Sequence, residues 1–435
     1  MSWIKSGPAA RRISSLQLAA APGSVTAADL PPRPFLLTNE RAMNAIPRLR
    51  RYTGPALLSY GFRPFFLLGA IYAGLAILAW VPMFHGQLEL ATAFSPRDWH
   101  VHEMLFGYVA AIVTGFLLTA VPNWTGRLPI QGKPLAVLVA AWIAGRIAVT
   151  GSALWGAWPA AIVDCSFLLL VALATAREII AGSNWRNLKV LIAVGLLFAG
   201  NVVFHVEAGL FGIAQYGARM GTAVSIALIM LIGGRIVPSF TRNWLARENP
   251  GRLPVAFNRY DVVSMIVAVL ALALWVAVPE GPATGALLIL AGLLQAVRLA
   301  RWAGERTARD RLVLILHVAY LFVPLGFFLV GIAALTGTPA EAGIHAWTGG
   351  AVGAMTLAVM TRASLGHTGR ALVASAATQG IYFFVVLATL ARIGAAYLPA
   401  FYTPLIHTAG LSWALAFLGF GLVYWPVLTR PRLGG

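Results

Sequence analysis

The sequence predicts an all-α membrane protein, a polytopic bundle of about twelve transmembrane helices, and three observations carry that prediction. Of 435 residues, 59% are apolar and only 11% are charged, well beyond the apolar share of soluble domains. Many apolar runs reach the roughly 20 residues a helix needs to cross a bilayer. The runs lack period-2 alternation in short segments, which excludes a β-barrel. A soluble enzyme with one core is excluded by the same run lengths.

Taken in order, the expected spans are about 62–84, 99–122, 134–152, 158–180, 188–211, 217–240, 260–279, 282–300, 312–336, 343–362, 372–396 and 402–426. The loops between them are too short for a second folded domain, so 59–430 is expected to form one twelve-helix transmembrane domain. Residues 1–58 differ: rich in Arg, Ala, Pro and Ser, they read as a basic, disordered cytoplasmic tail. The pair Arg11–Arg12 suggests a twin-arginine signal, but the stretch after it, ISSLQLAAAPGSV, is too weakly apolar.

Charge then orients the bundle. Most of the 32 Lys and Arg fall in the N-terminal tail, in the loops on one side and at the C-terminus. Arg97, Arg219 and Arg392 fall on the opposite side, and Arg146 lies inside a span. By the positive-inside rule both termini are expected to be cytoplasmic. The net charge of +18 is thus a matter of topology and of attraction to anionic lipid heads, not of nucleic-acid binding. The single cysteine, Cys165, excludes a disulfide within the chain and any thiolate cluster.

Ionisable groups inside a membrane are functional candidates by default, and here they gather at one level. His85, His100, His102, His345 and His407 fall at the outer ends of spans 1, 2, 10 and 12. His205 and Glu207 fall in the outer part of span 5, and Glu103 joins them from span 2. Only His317 and His367 lie toward the cytoplasm; His317 is placed to bind a second centre there, or to cap the outer site if Pro324 kinks its helix. Histidines without cysteines suit haem iron and copper. Because residues two apart on a helix point about 200° from one another, His100 and His102 are expected to serve different centres. Arg146 and Asp164, on neighbouring spans, are expected to pair. Glu207 is expected to face away from His205 and to deliver protons from the outer surface. With no Cys-x-x-Cys-His motif, any haem is held without thioether links.

Four stretches add a resemblance. SYGFRPFFLLGA (59–70), WHVHEMLFGY with GFLLTAVPNWTG (99–126), GGRIVPSFTRNWL (233–245) and HAWTGGAVGAMTLAVMTRASLGHTGR (345–370) resemble the NnrS family of bacterial inner-membrane proteins, over about residues 58–428. The resemblance implies twelve spans, haem b and copper as cofactors, and a role in relieving nitrosative stress during denitrification or host attack. It supports His100, His102 and Glu103, His205 with Glu207, His317 and His345; His407 has no matched motif. The architecture is also loosely similar to subunit I of haem–copper oxidases, which weighs only as fold analogy.

Three function classes follow. The first is a haem/copper protein binding or turning over nitric oxide or nitrosylated species, which makes it a nitric oxide-reacting oxidoreductase. Its metal ligands are His100, His102, His205, His317, His345 and His407, and Glu103 and Glu207 serve the chemistry. Arg97, Trp99, Arg219 and Arg392 are placed to hold haem propionates through charge-assisted bonds. The second is a transporter exporting a nitrosylated iron or thiol complex, which broken helices at mid-membrane would favour; the glycine-rich GGRIVP and TGGAVGAM permit such breaks. The third is a sensor signalling through the tail.

Overall fold

The computed structural model describes residues 52–433. Twelve long helices follow one another: α1 (Phe62–Phe84), α2 (Pro96–Thr125), α3 (Lys133–Thr150), α4 (Ala157–Ala181), α5 (Trp185–Phe211), α6 (Tyr216–Glu248), α7 (Arg259–Ala277), α8 (Pro282–Ala300), α9 (Arg311–Thr336), α10 (341–367), α11 (Ala376–Tyr397) and α12 (Pro399–Thr429). No strand occurs among the described residues. The protein is an all-α polytopic bundle.

All but α10 are long and apolar enough to cross a membrane. The expected span 343–362 does form a continuous helix, but its Gly, Thr and Ala content makes it less apolar than its neighbours. The reason is its position. Almost all of it from Ala346 to Thr361 is buried against other helices, so it does not need the large apolar side chains that face lipid. The disordered tail expected over 1–58 falls mostly outside the described residues. Its last part departs from the expectation: Ala56–Leu58 form a helical turn, and Gly132 donates its N–H to the Leu58 carbonyl at 3.0 Å.

Local chemistry sets the helix ends. Ser95 accepts the Asp98 N–H with Pro96 at the first helical position, so α2 begins three residues before the apolar run. Asn258 and Asp261 form a capping box at α7, and the Asp310 carboxylate accepts from Leu312 and Val313 at α9. Ser375 caps α11, which starts later than its apolar pattern suggests.

Neighbours in sequence pack as neighbours in space, and α12 returns against α1 to complete the arrangement. α2 lies inside, with 78% of its central stretch buried, whereas α7 lies on the rim with 33%. The interior is built by α2, α6 and α10, which touch through α2–α6 and α6–α10 contacts and through the Tyr108 and Thr356 hydroxyls. Each of these three, every fourth helix of the chain, contains a π-helical segment: Glu103–Val109, Ile229–Gly233 and Ala346–Ala354. Such segments insert a residue into the helical ladder and are frequent at functional sites.

Candidate metal centre

The first turn of α2 is fixed before its ligands are placed. Asp98 accepts the Ala214 N–H at 3.1 Å, and Arg97 donates to Asp98 (2.5 Å) and to the Ala214 carbonyl (3.2 Å). These bonds tie the start of α2 to the α5–α6 turn. Across that turn, the Glu207 carboxylate accepts the backbone N–H groups of Gln215 (3.1 Å), Tyr216 (3.0 Å) and Gly217 (2.8 Å). Those are the orphan donors at the start of α6, where negative charge is also favoured by the helix dipole. Gly217 is required there, since a Cβ would lie 2.4 Å from the Phe204 nitrogen. Helices α5 and α6 therefore meet backbone to backbone, and His205 is presented to α2.

At that junction His102, Asp164 and His205 form the one His/Cys/Asp/Glu group among the described residues suited to hold a metal, with one ligand atom from each within 4.8 Å of the others. All three are buried. The Asp164 Oδ2 atom lies 3.0 Å from His205 Nε2 and 3.2 Å from His102 Nε2, and accepts Asn201 Nδ2 at 2.8 Å. The other nitrogen of His102, Nδ1, donates to Glu103 Oε1 at 3.0 Å. That bond leaves Nε2 facing Asp164 and, at 3.0 Å, Asn201 Oδ1. An imidazole nitrogen between two acceptors needs either a second proton or a cation there.

Around this triad lies a shell that orients it. Arg146 spans the two acids, donating to Glu103 Oε2 at 2.5 Å and to Asp164 Oδ1, and the Tyr72 hydroxyl also donates to Glu103. Phe94, Phe106 and Phe204 line the imidazoles with ring centroids 5.2–5.4 Å from that of His102. Two buried carboxylates against one guanidinium leave negative charge that a bound cation would balance. A carboxylate–histidine–ligand relay of this kind fixes the tautomer a metal needs, and imidazole with carboxylate is a donor set for a transition metal. The residues fit such an ion.

His100 points elsewhere. Its ring stacks on Trp80 (4.3 Å between centroids, 25° between planes), and it lies within electrostatic range of Arg392 and His345. His345 Nδ1 donates to the Glu341 carbonyl at 2.7 Å, which leaves Nε2 as the ring's lone pair. One turn beyond Trp80, at the end of α1, His85 stacks on the exposed His407 at 5.1 Å. Three buried polar atoms in this neighbourhood lack partners: His85 Nε2, Trp99 Nε1 and His100 Nδ1. Orphaned buried nitrogens are rare in a folded protein, so this neighbourhood, too, fits a missing group, one with acceptors and a coordination position.

Other expected site residues make contacts of their own. Glu207 caps the start of α6, its oxygens accepting from three backbone N–H groups. Arg97 serves Asp98 and a backbone carbonyl. Arg219 donates to the Val276 carbonyl at 3.0 Å and lies over the Tyr216 ring. His317 accepts or donates at Thr241 Oγ1 (2.8 Å) with Gly304 against its ring, remote from the other histidines; no second ligand accompanies it in a metal-binding group among the described residues. Sequence reading underused Asp164, treated only as the partner of Arg146, and missed Asn201, Tyr72 and Phe94. One signal was available: Asn201 and His205 are four apart and so share a helix face.

A membrane-embedded helical bundle with a buried His/Asp/His group, positioned by acids and an arginine, defines the class as a polytopic metal-binding membrane protein. The family model described as NnrS protein matches residues 56–432, and the chain belongs to that family. Membership supports a role in the response to nitric oxide. No curated protein matches the chain.

Proposed function

We propose that this chain is a haem b- and copper-containing inner-membrane protein that binds or turns over nitric oxide. The observation that carries this reading is the division of α2, which sends His102 into the Asp164–His205 group and His100 toward His345 and Arg392. Copper would be held by His102 Nε2, His205 Nε2 and Asp164 Oδ2. Haem would be held in the second neighbourhood, where His100 and His345 offer ring nitrogens and Arg392 and Trp99 offer donors to propionates. When bound, such groups supply nitric oxide binding and electron transfer.

The chain's own residues do the rest. Glu103 holds His102 in the Nδ1–H tautomer, Arg146 bridges both carboxylates, and the three phenylalanines exclude water. Nitric oxide is apolar and dissolves in lipid, so a centre inside the bundle is reached without an aqueous channel. The arginine bias of the loops supports a cytoplasmic side for both termini. The transporter reading loses its structural support, because GGRIVP and TGGAVGAM lie in or beside π-helical segments of continuous helices and not at helix breaks.

Metal analysis combined with optical and EPR spectra of the purified protein tests the proposal. Soret absorption with one copper per chain is the expected result. A colourless protein, or copper that remains stoichiometric in His102→Ala and His205→Ala, overturns it.

A further inference from the structure

At the opposite end of the bundle from the metal centre, the geometry points to a binding site for the phosphate of an anionic phospholipid, formed by Arg63, Arg370 and Arg432 between α1, α10 and α12. Arg63 is 4% exposed. Its Nη1 donates to the carbonyls of Leu428 and Arg430, each at 2.8 Å, which locks the end of α12 onto the start of α1. Arg370 lies within electrostatic range of Arg63, and its Nη1 is buried without a partner. The chain after α12 folds over the turn following α10. Leu433 donates to the Thr368 carbonyl at 3.0 Å, and Arg432 Nε would lie 3.6 Å from a Cβ at Gly369. Gly369 takes a φ of 74° there, so the close approach is built into the turn.

Every charge gathered here has one sign. His367, between the rings of Tyr60 and Phe62 (centroids at 5.8 and 5.5 Å), is within range of both Arg63 and Arg432. The N-terminus of α1 also opens here, and it has no side-chain cap; its dipole adds positive potential. Among the described residues no carboxylate forms an ion pair with Arg63, Arg370 or Arg432, whereas the other deeply buried arginines, Arg146 and Arg298, each have one.

A buried or half-buried guanidinium without a counter-charge, as at Arg63 and Arg370, is costly; Arg432 is exposed beside them, and the fork geometry of arginine matches a phosphate. The three arginines stand at helix ends, where the headgroup layer of a bilayer lies, and basic pockets between helices at that level bind acidic lipid heads. The occupant is therefore a phospholipid phosphate held between helices.

The test measures phosphatidylglycerol retained per chain by mass spectrometry after transfer into phosphatidylcholine nanodiscs. The wild-type protein should keep it. The Arg370→Gln/Arg432→Gln pair should weaken its binding about thirtyfold, while Arg186→Gln, an exposed arginine elsewhere on the surface, should leave it unchanged. Equal loss in Arg186→Gln, or full retention in the double variant, overturns the site. A second arm adds phosphatidylglycerol or inorganic phosphate to delipidated protein and follows the unfolding temperature. A rise with the lipid that disappears in the double variant supports the proposal; the same rise with inorganic phosphate alone shows a free-anion site and overturns the lipid assignment. If the double variant does not fold, Arg432→Gln alone is compared with wild type in both arms and is expected to show the weaker binding.

Discussion

His100 and His102 leave the same turn of α2 and enter opposite surroundings. Around His102 most polar groups answer one another, among Glu103, Asn201, Asp164, Arg146, Tyr72 and His205, and only Arg146 Nε is buried there without a partner. Around His100 fewer are answered, and His85, Trp99 and His100 each bury a nitrogen without a partner. The first neighbourhood is preorganised, held in shape by its own bonds, so an ion would enter a site that already exists. The second is made complete only by what it binds. Loss of the cofactor should therefore cost the second neighbourhood more of its local order than the first.

The sharpest way to break this contrast is to remove the charge that ties the first neighbourhood together. Arg146→Met leaves Glu103 and Asp164 buried without their cation and should destabilise the protein by about 3–5 kcal/mol, read as a fall in unfolding temperature or in folded yield from the membrane. A variant as stable as wild type would show that the two acids are balanced by something else. Next in size is Glu103→Gln, which keeps the shape of the relay but weakens its grip on His102. It should lower copper affinity about 10–100-fold while the Soret band is unchanged, measured by chelator competition and optical spectra. His100→Ala and His102→Ala then separate the two halves: the first should abolish haem and spare copper, the second the reverse. If both substitutions give the same partial loss, the two residues share one centre. The smallest effect is expected from Glu207→Gln. As a helix cap it should cost about 1 kcal/mol of stability and leave both metal contents and the reaction with nitric oxide unchanged at every pH; a slower reaction at high pH would restore a proton-carrying role.

The helices were legible because lipid imposes long apolar runs, and the opposed directions of His100 and His102 followed from helical phase alone. α10 shows where that logic weakens, since a helix surrounded by protein is not required to look apolar. Among the site residues, those reached by following one helix face were legible, as with His102 beside Glu103. Asp164 was visible as an intramembrane acid, but the oxygen it turns to His102 and His205 depends on how α4 packs between α3 and α5. The contacts of Glu207 were hidden for a related reason. An acid at that depth must find partners, and its partners are backbone N–H groups, which carry no residue identity in the sequence. The unpartnered Arg370 is likewise invisible until the chain after α12 is seen to fold across its turn.

The π-helical segment of α2 begins at Glu103, directly after the paired histidines. It behaves as a dislocation in an otherwise regular lattice: one extra residue is absorbed, and everything beyond it is turned by about 100° relative to what lies before. The outward part of α2 thus aims His100 and His102, while the segment itself aims Tyr108, near its inward end, at Thr356 and its Gly107 carbonyl receives Trp142. Deleting a single residue between 104 and 107 would heal the dislocation into plain α-helix. The two parts would then be locked to one phase, and either the histidines or the interior seam with α10 would have to rotate out of place. The extra residue works as a rotary joint, letting one helix satisfy a cofactor site and a packing interface whose angular demands differ.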